Sequence, residues 1–261
     1  MIDTAQALLA AISGVGVGFT LGLVGGGGSI LAVPLMVYVV GVRSPHIAIG
    51  TSALAVAANA LAGLANHARA QNVNWRCGGA YALAGVIGAF AGSSFGKAFD
   101  GQKLLFLFAL LMIVVSVLMY RSRNGEGIEG VVCNRDNFPK VAGFGLGTGM
   151  LSGFFGIGGG FLIVPGLIAS TSMPIYRAIG TSLVAVTAFG LTTALNYAAS
   201  GLIDWPLAAS FIGGGIAGSL LGTFASRKLA AKKGTLNAVF ATLVLGVAVY
   251  MLTKSWFALN G

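Results

Sequence analysis

A chain of 261 residues of which 56% are hydrophobic and only 8% charged cannot clothe a water-facing surface; soluble domains carry roughly 25% charged residues. With a mean hydropathy of +0.91, lipid is the expected solvent, which excludes a soluble enzyme, a nucleic-acid binder and a disordered scaffold. The net charge of +9 sits almost entirely in short gaps between apolar runs, where it sets membrane orientation; no basic stripe interleaved with aromatics suggests nucleic acid.

In chain order the apolar runs predict helical elements over 5–24, 29–42, 47–68, 76–97 and 103–120, then over 140–157, 160–171, 177–199, 205–226 and 234–253. The opening Met1-Ile2-Asp3-Thr4 lacks a positive region, and the run after it is too long for a signal peptide, so it reads as a retained span. Most elements approach the ~20 residues that cross a bilayer. The element 29–42 does not: as a helix it extends about 21 Å against a hydrocarbon core of ~30 Å. Its later counterpart, 160–171, is shorter still.

The chain is one motif written twice. Gly14, Gly18, Gly22, Gly25, Gly27 and Gly28 recur as Gly145, Gly149, Gly153, Gly156, Gly158 and Gly159, and Val33-Pro34 recurs as Val164-Pro165. After one residue drops out, Gly50-Thr51-Ser52, Asn66, Trp75, Gly85, Gly88 and Gly92 recur as Gly180-Thr181-Ser182, Asn196, Trp205, Gly215, Gly218 and Gly222. The expected organisation is a first membrane repeat over 1–120, a polar cytoplasmic linker over 121–139 and a second membrane repeat over 140–261. If all ten elements cross and the N-terminus is outside, 11 Lys and Arg fall inside and 4 outside; if the short elements do not cross, the split is 8 to 7. The positive-inside rule favours the first arrangement. Five elements per half is odd, so the halves have opposite orientation, and both termini lie outside. The expected fold is therefore an all-α polytopic membrane protein of two inverted repeats, each with about five elements and a Gly-broken short helix.

The glycine runs Gly25-Gly26-Gly27-Gly28-Ser29 and Gly156-Ile157-Gly158-Gly159-Gly160 each precede a short element. A short helix whose glycine end is sunk below the surface leaves free N–H groups in oil, and an anion there would satisfy both hydrogen bonds and helix dipole. The alternative is a tight interhelical turn that needs glycine for positive φ. The candidate substrate contacts are Gly25, Gly27, Gly28, Ser29, Gly156, Gly158, Gly159 and Gly160. A nucleotide site is excluded, since no G-x-x-x-x-G-K-[ST] is present.

Thr51, Ser52, Thr181 and Ser182 open the third element of each half, where hydroxyls either cap a helix or turn toward a ligand oxygen. Asn59, Asn66 and Asn196 are further candidates, the alternative being amides that bridge helices. Asn59 is the asymmetric one, because Phe189 occupies its place in the second copy. The ladders Gly14/Gly18/Gly22, Gly145/Gly149/Gly153 and Gly88/Gly92/Gly96 read as helix packing, and Trp75 and Trp205 as interfacial anchors. Cys77 and Cys133 lack metal-ligand spacing, and a disulfide between them is not expected.

No Lys, Arg, Asp, Glu or His falls in the middle of any predicted span, so a proton relay or a buried salt-bridge gate has no obvious carrier. An anion at the midplane would be held by backbone N–H, hydroxyl and amide groups, which suits a small, weakly basic oxyanion. Asp204, near a surface, is either a helix cap or a proton site. No catalytic residue, metal ligand or cofactor is indicated. The expected partners are a small anionic substrate, the bilayer and a coupling proton or ion; oligomeric state is unreadable.

The duplicated glycine run, the V-P pair and the I-G-T-S motif together resemble the sulfite exporter TauE/SafE family of membrane permeases over 5–253. The resemblance implies a bacterial inner-membrane secondary transporter, working by alternating access, that exports sulfite, thiosulfate or an organosulfonate such as sulfoacetate. The motif marks the family rather than the cargo, and Gly160 stands where the first copy has Ser29. From the residues alone, an anion channel and a non-transporting membrane scaffold stay open as rivals.

Overall fold

A computed structural model describes residues 3–121, 133, 137–228 and 233–260. Among the described residues ten α-helices follow one another: α1 (Thr4–Val24), α2 (Ala32–Tyr38), α3 (Pro45–Arg69), α4 (Trp75–Ala98), α5 (Gly101–Arg121), α6 (Phe138–Phe155), α7 (Gly160–Thr171), α8 (Ile175–Ala198), α9 (Trp205–Lys228) and α10 (Lys233–Asn260). A 3-10 helix, Gly25–Leu31, joins α1 to α2. No strand occurs among the described residues. Seven helices (α1, α3, α4, α5, α8, α9 and α10) are long and apolar enough to cross a membrane, so the chain is a multi-pass membrane protein.

Local chemistry sets the starts. Ser44 accepts from the Ile47 amide at the head of α3, with Pro45 in the first helical position, where its missing N–H is no loss. Asn74 and Asp204 do the same for α4 and α9, accepting from the amides of Cys77 and Leu207. Asp204 is therefore a helix cap. Trp75 and Trp205, the first residues of those helices, are exposed, as interfacial anchors should be.

Packing follows the small residues. A methyl on Gly14, Gly18 or Gly22 of α1 would strike the backbone of Phe211, Gly215 and Ser219 of α9 in that order, so the two helices lie in parallel contact. Gly145, Gly149 and Gly153 of α6 meet Tyr81, Gly85 and Ala89 of α4 in the same way. Each pair joins a helix of one half to a helix of the other.

At the centre α3 and α8 run antiparallel. Gly50 meets Tyr197, Gly190 meets Ala57, Gly63 meets Leu183 and Gly180 meets His67. Outside them α5 and α10 are also antiparallel: the Ser116 hydroxyl donates to the Ala241 carbonyl at 2.7 Å, and Phe106 lies against Trp256. The large apolar side chains left exposed, such as Leu83, Ile87 and Phe90 of α4 or Leu220, Leu221 and Phe224 of α9, form a surface suited to lipid.

Two expectations need correction. Cys77 and Cys133 form a disulfide, with Cα atoms 5.4 Å apart. Cys133 thus lies against the first turn of α4, which spacing along the chain does not reveal. The element 29–42 is not one short helix: its first residues belong to the 3-10 segment and only Ala32–Tyr38 is α-helical. Most of the linker, 122–132 and 134–136, lies outside the described residues.

Candidate functional site

The two glycine runs fold back on the helix before them at matched positions. Gly28 packs on Thr20 and Leu21 of α1, and Gly159 packs on Ser152 of α6. Their backbones then differ. Gly25, Gly27, Gly28 and Ser29 lie in the 3-10 helix, which runs on into α2 through Leu31 in a right-handed conformation, so no helix end opens there. In the second run Gly156, Gly158 and Gly159 have φ of 68°, 66° and 65°, a left-handed sequence that only glycine adopts at low cost. Gly159 is the N-cap of α7 and provides no side-chain acceptor.

This second turn is deep. Gly156 through Gly160 are all buried. Gly156 lies on Ile49 of α3, and Gly158 lies between Val56 of α3 and Val186 of α8, each midway along its helix. The first amides of α7, at Gly160 and Phe161, have no acceptor within their own helix. A helix N-terminus thus opens into the apolar contact between the halves, where its partial positive charge favours an anion.

The hydroxyls near the turn divide into engaged and orphaned groups. Thr51 accepts from the Asp204 amide at 3.0 Å, and Thr181 accepts from the Asn74 amide at 2.9 Å. Both threonines therefore pin the head of a helix from the opposite half, a role in addition to the cap and ligand alternatives. Ser182 donates to the Ile179 carbonyl at 2.7 Å. Ser52, at the matching place in the first half, is fully buried and its hydroxyl has no partner. It lies between Ile49 and Val56 at helical spacing, on the face of α3 that meets the turn.

Ser152, absent from the sequence-derived candidates, is the second orphan. It is fully buried, its hydroxyl has no partner, and a methyl on Gly159 would lie 2.8 Å from its Oγ. The only signal for it in the sequence is a hydroxyl beside Gly153 in a packing ladder whose other copy carries Leu21.

The asparagines are not gathered at the turn. Asn196 accepts from Lys97 Nζ at 2.8 Å and donates to Ser93 and Ser94, bridging α8 to α4. Asn59 is fully buried against Gly215 of α9, with neither amide atom partnered. Its counterpart Phe189 meets Gly85 in the same way and stacks on Tyr81. Asn66, partly exposed, lies in the last two turns of α3.

A polytopic helical bundle with a buried glycine turn between its halves is an architecture on which a membrane transporter can be built. The comparisons agree. A model of the family described as "Sulfite exporter TauE/SafE" matches residues 10–251, so the chain belongs to that family, a class of membrane transporter. A "Probable membrane transporter protein" of Xylella fastidiosa (strain 9a5c) is 52% identical over 98% of this chain and 99% of its own. The "Probable membrane transporter protein YunE" of Bacillus subtilis (strain 168) is 25% identical over 80% and 85%. A "Probable membrane transporter protein MJ0441" of Methanocaldococcus jannaschii is 29% identical over 64% of each chain. No solved structure matches.

Proposed function

We propose that the chain is a secondary transporter that exports a small sulfur-containing anion (sulfite, thiosulfate or an organosulfonate) across the inner membrane. Two inverted halves, 1–120 and 140–261, alternate around a central site, and the linker 121–139 is cytoplasmic with both termini outside. The observation that carries this reading is the glycine turn Gly156–Gly160, buried against mid-helix residues of α3 and α8. Antiparallel contact between α3 and α8, which carry the matching I-G-T-S motifs, supports the inversion. The sulfur chemistry is supported by the family description alone.

The work follows from the placement. Amide and hydroxyl donors in low dielectric offset the desolvation of one negative charge, and no fixed cation is needed to hold it. Thr51 and Thr181 join each half to the other half's fourth helix, so rocking has to preserve or exchange those two bonds. The test is flux into proteoliposomes. Saturating sulfite or thiosulfate uptake with counterflow is the expected result; voltage-tracking current without counterflow makes the chain a channel, and no flux with any sulfur anion makes it a scaffold. Fusion reporters that find the linker outside contradict the inverted arrangement.

A further inference from the structure

We infer that only the second glycine turn binds the anion, and that Ser52 and Ser152 supply its side-chain hydrogen bonds. Three asymmetries between the halves converge on one place. The turn before α7 is left-handed and ends in a free helix N-terminus, whereas the first run winds as a 3-10 helix. The hydroxyl facing Gly159, that of Ser152, has no partner, whereas the hydroxyl facing Gly28, that of Thr20, donates to the Gly16 and Val17 carbonyls of its own helix. Ser52 is orphaned on the α3 face that meets the turn, whereas its counterpart Ser182 is engaged with its own helix.

Buried hydroxyls normally bond back to a carbonyl three or four residues earlier, as Thr148, Thr187 and Ser182 do here. Leaving two unpaired beside unpaired amides is unfavourable unless a shared acceptor occupies the space between them. The two hydroxyls and the first amides of α7 can all donate to it. The ligand class is therefore an oxyanion with acceptor atoms in several directions. Chloride, a single spherical acceptor without separate oxygens to match donors set in several directions, and any cation are poorer fits.

The identity of the probe rests on the transport reading; the position of the site does not. The experiment is sulfite binding to the full chain in nanodiscs by titration calorimetry, beside melting of each variant without ligand. Ser52→Ala and Ser152→Ala are each expected to weaken sulfite binding about tenfold or more, as loss of a hydrogen bond to a charged acceptor does. Neither should melt lower than the parent, because neither hydroxyl has a partner to lose. Ser116→Ala, which removes an engaged hydroxyl between α5 and α10, should melt lower and bind sulfite as the parent does. Unchanged binding in both variants overturns the site while leaving transport intact. Lowered melting of both with parental affinity assigns the serines to packing and overturns it too. If none of sulfite, thiosulfate and sulfoacetate binds the parent, the site and the transport reading fall together.

Discussion

The two glycine runs match in sequence and differ in backbone conformation. The first, Gly25–Ser29, keeps a right-handed path into α2, so its amides stay within helical geometry and Gly28 folds back on the backbone of Thr20 and Leu21. The second, Gly156–Gly160, takes three left-handed residues and releases α7 as a separate helix with an open head. Sequence likeness at the level of glycine content conceals this, because four contiguous glycines allow a helix as readily as a turn, whereas Ile157 between glycines packs into the core and fixes the chain on either side of it. A duplicated scaffold thus keeps its symmetry where helices pack and loses it at the glycine turns.

The contrast breaks most sharply at Gly158. A methyl there meets Val56 Cγ1 at 2.8 Å on a left-handed backbone, so Gly158→Ala is expected to abolish transport while membrane insertion, read by fluorescence-detected chromatography, persists. Gly28→Ala instead drives a methyl into the backbone of Thr20–Leu21, and should show first as lost folded protein. Parental uptake kinetics in Gly158→Ala would erase the difference between the runs.

Next in size is the disulfide. Cys133→Ser should lower the melting temperature in non-reducing detergent by the equivalent of about 2–4 kcal/mol, since it frees the linker from α4. A thermal-shift measurement with no change would mean that the tether carries no stability. The smallest effect belongs to the threonines: Thr51→Val and Thr181→Val each remove one acceptor from a helix-head amide, about 1 kcal/mol. They should lower melting and alter apparent KM less than Ser52→Ala does; a larger KM effect in Thr51→Val would return the threonines to the ligand.

Much of the architecture was legible because its signals are local. Trp75 and Trp205 mark the first residues of α4 and α9, Gly160 starts α7, and the glycine ladders become the helix contacts their spacing suggests. The rest depends on chain segments brought together from far apart. Nothing near Thr51 announces Asp204, and nothing near Cys77 announces Cys133. Ser152 escaped because comparing the halves rewards residues that match, and the feature that singles it out is that it does not match Leu21.

Under the proposed alternating access, the buried turn between the halves is reached from either side of the membrane. The most direct test is accessibility of Ser152→Cys, in a Cys77→Ser/Cys133→Ser background, to a membrane-impermeant thiol reagent applied to right-side-out and inside-out vesicles. Labelling from both faces is the predicted result. Labelling from one face only, or from neither, contradicts it.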